Sequence, residues 1–167
     1  IPTREQVRSE LRFLRSLAYY YLIDCFGKGP ILRETDPTDA GPQDEASRVE
    51  LYNFVVSELL EIEDKLPSRI GYGRANKHVV RMLLPKMYLN SEVYTGVPRY
   101  DKALEYSQKV IDEGGYQLAT SFVSIFSGDN DISDAKNEII YALIADPFVS
   151  QSYGNTTYLV NGSLSSD

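Results

Sequence analysis

Up to about residue 113, apolar side chains recur at three- and four-residue steps, and polar breaks divide that periodicity into helical stretches. The spacing predicts helices over about 3–26, 47–66, 76–95 and 99–113. In the first, Leu11, Leu14, Ala18, Tyr21, Leu22 and Cys25 form one apolar face. Phe13, Leu17 and Tyr20 load a second face, so this helix is expected to lie between neighbours. Thr3 with Gln6 makes a capping box behind Pro2, and Gly27 with Gly29-Pro30 stops the helix by capping and by blocking continuation. The second helix opens at Ser47, with Glu50 reaching back, carries Tyr52, Val55, Val56, Leu59 and Leu66, and ends at Pro67. Between these two, residues 31–45 hold Pro37, Gly41 and Pro42 among several acids and read as loop.

After the turn Gly71-Tyr72-Gly73, the third helix presents Val80, Leu83, Leu84, Met87 and Tyr88 inward. Gly96-Val97-Pro98 breaks the chain, and the fourth helix presents Tyr100, Ala103, Leu104, Ser107, Val110 and Ile111 before Gly114-Gly115 closes it. The last two helices fit a tetratricopeptide-type hairpin, a helix–turn–helix unit of ~34 residues. Ala103 lets the helices approach closely, Tyr100 packs over the turn, and Leu84 and Tyr88 fill the matching positions upstream. Pro85 stands where such repeats carry a small residue, and a mid-helix proline costs ~3 kcal/mol or more and kinks the axis. Beyond the helices the pattern changes. Ile139-Ile140-Tyr141-Ala142-Leu143-Ile144 is short, β-branched and apolar and reads as a strand, and the rest of 116–167 reads as irregular loop. The fold class expected is mainly α: one domain over 1–167, a tetratricopeptide-like helical-repeat superhelix with an irregular loop and a short strand at its C-terminal end.

Composition narrows the function. The net charge is −7, with 24 acidic against 17 basic residues, which argues against nucleic acid as a partner. No stretch approaches the ~18 consecutive apolar residues of a membrane span, so contact with a membrane is expected only through an anchor outside this chain. The start at Ile1, without a basic and apolar leader, fits either a processed precursor or an internal piece of a longer chain, and the unfinished look of both ends favours the piece. Cys25 is the only cysteine, which excludes an internal disulfide, and its helical spacing from Leu14, Ala18 and Leu22 reads as a buried thiol. His78, the only histidine, reads as structural or solvent-facing, and Glu61, Glu63 and Asp64 as a solvated helix face. No phosphate loop, nucleotide fingerprint or metal spacing is present. The chain therefore reads as no enzyme, with no catalytic residue, no metal and no cofactor.

The motifs also resemble a known family. Arg12-Phe13-Leu14-Arg15-Ser16-Leu17-Ala18-Tyr19-Tyr20-Tyr21-Leu22, closing on Phe26-Gly27-Lys28-Gly29-Pro30-Ile31, is similar to the first conserved helix of the SusD/RagB family and its exit. Ser47-Arg48-Val49-Glu50-Leu51-Tyr52 leading to Leu66-Pro67 resembles its next helix, and Tyr72-Gly73-Arg74-Ala75-Asn76-Lys77 its following turn. Tyr88-Leu89-Asn90 with Tyr100-Asp101-Lys102-Ala103-Leu104 resembles its repeat hairpin, and Asn137-Glu138-Ile139-Ile140-Tyr141 its later segment. Order and spacing agree over residues 12–141; Pro85 and His78 depart from the pattern. The resemblance implies a non-enzymatic glycan-binding component of a TonB-dependent nutrient uptake system. It implies a surface-exposed lipoprotein of the outer membrane in Bacteroidetes-type bacteria, seated on a SusC-like transporter. The alternative is a tetratricopeptide-type scaffold for protein–protein interaction.

Sugar rings need flat aromatic faces and side-chain amides for their hydroxyls. Of the 13 tyrosines, Tyr20, Tyr52, Tyr88, Tyr100 and Tyr106 sit at core spacing. The loop residues Tyr153, Asn155, Tyr158 and Asn161 are the candidate glycan contacts. Asn155-Thr156-Thr157 and Asn161-Gly162-Ser163 fit a glycosylation pattern that is a chance match in a bacterial protein.

Overall fold

The computed structural model describes residues 1–37, 39 and 41–144. Helix α1 (Arg4–Phe26) begins where Thr3 Oγ1 accepts the Gln6 N–H at 3.1 Å. It ends at Gly27, whose left-handed φ of 74° lets its N–H reach the Ile23 carbonyl at 2.9 Å. A two-residue antiparallel bridge follows, β1 (Gly29–Pro30) against β2 (Glu45–Ala46). Helix α2 (Arg48–Ile62) carries a complete capping box: Glu50 N–H donates to Ser47 Oγ and Ser47 N–H donates to Glu50. A 3₁₀ turn (Glu63–Lys65) extends it, and α3 (Lys77–Leu89), α4 (Ser91–Thr95) and α5 (Tyr100–Glu113) follow.

Two antiparallel helix pairs build the body. Along α1 and α2, Arg12 meets Glu58, Tyr19 meets Phe54 edge-on at 5.2 Å, and Gly27 meets Arg48, so numbers rise on one helix as they fall on the other. Along α3 and α5, Arg81 meets Glu113 and Tyr88 meets Tyr106 at 5.7 Å. Helix α2 joins the pairs: Tyr52 lies 6.2 Å from Tyr94 of α4, and Leu51, Val55, Leu59 and Ile62 are fully buried. From α3, Val80, Leu84 and Met87 close the same core. This is the tetratricopeptide-like arrangement expected from the periodicity, and α3 runs on through Pro85.

Several expectations need correcting. In α1 the buried stripe is Ser9, Phe13, Ser16, Tyr19 and Ile23, whereas Leu11 and Tyr21 are exposed. Two serines hid that stripe. Each buried hydroxyl donates to its own helix, Ser9 to the Glu5 carbonyl and Ser16 to the Arg12 carbonyl, both at 2.9 Å, so neither needs water. Cys25 falls off the buried face and is exposed. On α5 the inward residues are Ala103, Tyr106 and Val110; Tyr100, Leu104 and Ile111 face outward. Glu63 is not on a solvated face: it is buried against Arg81. The helix expected over 76–95 divides at Asn90, whose side-chain amide donates to the Lys86 carbonyl at 3.2 Å and competes with the helical ladder. Residues 139–144 form no strand. Ile140 and Tyr141 serve burial instead: both pack on the core, and Tyr141 meets Phe13 edge-on at 5.4 Å, while Leu143 and Ile144 are exposed.

An arginine–glutamate brace ties α1 to α2 and to the following loop. Arg12 forms a fork with Glu58 (2.7 and 2.9 Å) and another with Glu61 (2.8 and 2.9 Å), while Arg15 bridges Glu58 and Glu34. Hydrogen bonds from Arg8 and Arg15 hold Glu34 down to about 2, and those from Arg12 and Lys65 hold Glu61 down to about 2. A carboxylate held low in the folded state adds stability above its ordinary value of 4.5, and that stability is lost as pH falls toward about 2. The melting temperature, followed by circular dichroism, should therefore be flat from neutral pH to about 5 and fall steeply between roughly pH 4.5 and 2. A flat profile across that window would contradict the brace.

Candidate functional site

Residues 136–144 form a ridge between two clefts. The first cleft, ≈ 310 Å³, lies between the loop 68–76, the turn 114–116 and the ridge. The second, ≈ 470 Å³, lies between the ridge and the facing sides of α1 and α3.

Helix capping positions the polar cleft. Asn76 caps α3: its Oδ1 accepts the N–H groups of His78 (2.8 Å) and Val79 (3.1 Å). Burial pushes the Tyr116 phenol up, against the opposing pull of Asn76 and Arg69, so it remains a neutral hydroxyl that can both donate and accept. Gly73, at φ 76°, brings the loop against the ridge so closely that a Cβ there would lie 2.3 Å from Ile144 Cδ1. Arg74 anchors the loop to α1 through a fork with Glu10 at 2.6 and 3.0 Å. Tyr72, 45% exposed, offers an accessible ring at the rim. Asn137 and the exposed Arg69 and Lys136 complete the polar lining.

The second cleft is largely apolar, lined by Phe13, Leu17, Val79, Leu83 and Tyr141. Tyr20 and Tyr21 stand at its edge with ring centroids 5.3 Å apart, and Lys86 Nζ lies 5.9 Å from the Tyr20 ring.

Among the described residues, neither cleft holds a nucleophile–base pair. His78 is buried beside Tyr116 (6.1 Å, edge-on), and its Nδ1 has no partner among the described residues. Burial, then the charge of Arg81, lowers its basicity, which fits a neutral packing imidazole. Among the described residues, no group of three or more His, Cys, Asp or Glu could hold a metal ion. Tyrosine rings, amides and guanidinium groups suit a neutral or anionic hydroxyl-rich ligand held by stacking and hydrogen bonds.

The candidate contacts Tyr153, Asn155, Tyr158 and Asn161 lie outside the described residues. Of the tyrosines placed at core spacing, Tyr52, Tyr88 and Tyr106 are buried, Tyr20 is half-buried and Tyr100 is exposed. The clefts themselves escaped the sequence, because each draws on segments far apart in the chain.

Comparisons with known proteins place the chain. It is 40% identical over 158 residues to the starch-binding protein SusD of Bacteroides thetaiotaomicron, matching 93% of this chain and 28% of that protein. A SusD-like protein from Bacteroides fragilis superposes with a TM-score of 0.71 at 24% identity, over 90% of this chain and 29% of its own. Surface glycan-binding protein A from Bacteroides uniformis superposes with a TM-score of 0.65 at 24% identity, over 78% of this chain and 30% of its own. The two structural likenesses speak for the fold. No family model matches. The chain thus spans less than a third of the length of each of these proteins.

Proposed function

The chain belongs to the SusD-like family, and on that premise we propose that the protein binds polysaccharide or oligosaccharide chains as one component of a TonB-dependent nutrient uptake system. The observation that carries this reading is the 40% identity, over nearly the whole of this chain, to a protein whose name states starch binding. In this reading the protein captures ligand and catalyses nothing. It works at the outer membrane as a surface-exposed lipoprotein, beside a SusC-like transporter. Tyr153, Asn155, Tyr158 and Asn161 supply sugar contacts from the Tyr- and Asn-rich segment.

A second reading, a scaffold for protein–protein interaction, is favoured by one specific observation. Leu104 (70% exposed) and Ile111 (72%) stand out along the outer side of α5, and such a stripe suits a partner helix or barrel surface. The two readings separate in affinity gels cast with starch, xyloglucan, laminarin or pectin. Retardation by any of these polysaccharides is the result expected of a glycan binder. Free migration in all of them, together with co-purification of a protein partner, would leave only the scaffold reading.

A further inference from the structure

The polar cleft differs in charge from the rest of the molecule. The protein carries −7 overall, yet among the described residues the cleft is lined by Arg69, Arg74 and Lys136 and by no aspartate or glutamate. The nearby acids are engaged elsewhere. Glu10 is spent on Arg74, Glu113 on Arg81, and Glu138 accepts the Ala119 N–H at 2.7 Å. Arg74 is neutralised by its fork with Glu10, whereas Arg69 and Lys136 make no ion pair among the described residues. In a protein whose other arginines and lysines are so often matched to glutamates, two unmatched cations on one concave surface form a local positive field.

The cleft also provides more than charge. Arg69 Nη2 lies so close over Gly115 that a Cβ there would meet it at 2.7 Å, which places the guanidinium against the backbone of the turn. Beside it stand the half-buried Tyr116 hydroxyl, the Asn76 and Asn137 amides and the exposed ring of Tyr72. Its ≈ 310 Å³ is at the small end of ligand pockets, suited to a short saccharide rather than a long chain. A bare inorganic ion would leave the Tyr72 ring and the amides unused; a sugar ring bearing an anionic group uses both.

Resting on the glycan-binding reading, we propose that this cleft is a subsite for an anionic sugar residue, carboxylated or sulfated. Arg69 and Lys136 take the anionic group, the Asn76, Tyr116 and Asn137 side chains take ring hydroxyls, and Tyr72 lies against the ring. Guanidinium recognition of a carboxylate or sulfate is directional and charge-assisted, so Arg69 is the dominant contact.

The test is calorimetric titration of the full-length protein with an oligogalacturonide, a chondroitin sulfate oligosaccharide and maltoheptaose, at low and at physiological salt. The expected result is binding of at least one of the two anionic sugars, weakening with salt. Arg69→Gln with Lys136→Gln should reduce that binding by about tenfold or more. Arg69→Lys should retain part of it, and the melting temperature should stay unchanged because both residues are exposed. Which anionic sugar binds identifies the group. Binding of maltoheptaose alone, or anionic binding unaffected by the double substitution, would overturn the subsite and leave the glycan reading standing. Binding of none of the three, together with free migration in all the polysaccharide gels, would remove both.

Discussion

Replacing Leu59 by alanine is expected to lower the free energy of unfolding by about 2–5 kcal/mol, the range for deleting a large aliphatic side chain from a packed core. Leu59 is fully buried in the last turn of α2, the helix of the α1–α2 pair that also packs against α3, so the space it would leave is walled by both pairs. Leu104→Ala is the matched comparison. Both leucines sit at apolar helical spacing in the sequence, but Leu104 is 70% exposed on α5, and its removal should change stability by no more than about 0.5 kcal/mol. Urea unfolding followed by far-UV circular dichroism measures both. Equal losses at the two positions would mean that α5 presents a different face from the one described.

Arg81→Ala should cost about 3–5 kcal/mol, because it strands a buried charge. Arg81 donates from Nε to Glu63 Oε1 at 2.7 Å and from Nη1 to Glu113, and the side chains of Arg81 and Glu63 are only 10% and 12% exposed. The other hydrogen bond to the Glu63 side chain among the described residues, from the Tyr106 hydroxyl, is long at 3.4 Å. Glu113 is 55% exposed at its side chain, and Glu113→Ala should cost well under about 1 kcal/mol. The double replacement Arg81→Met with Glu63→Leu, which removes both charges, should recover much of the Arg81→Ala loss. If it is as unstable as Arg81→Ala, the damage comes from lost packing rather than from the stranded carboxylate.

These two sites also show what could be read from the chain alone. The α2 and α3 faces were legible because their buried positions are apolar in nearly every turn: Val55, Leu59, Val80, Leu84 and Met87. The α1 face was not, because Ser9 and Ser16 occupy two of its buried positions and satisfy their hydroxyls on their own helix. Arg81 and Glu63 were missed for a related reason. A salt bridge between positions 18 residues apart leaves no periodic trace, and each charge alone looks solvated. The ridge 139–144 was read as a strand because burial and sheet pairing select the same β-branched residues. The family, by contrast, was visible in the order of short motifs over residues 12–141, a kind of information that tertiary packing does not erase.

The polar cleft lies between these extremes. Its capping residue Asn76 has a local signature, but Arg69, Tyr116 and Lys136 converge only when the α3–α5 pair brings the turn 114–116 beside the loop 68–76. A positive cleft on a protein of charge −7 is a property of the folded surface, invisible in the sum.

The central claim, that this SusD-like protein binds glycan chains, is tested most directly by calorimetric titration of the full-length protein with a panel of soluble oligosaccharides, neutral and acidic. Saturable heat with at least one of them, abolished when the ligand is digested to monosaccharide, is the result expected. Absence of saturable binding across the whole panel, from a protein that melts cooperatively in the same buffer, would contradict it.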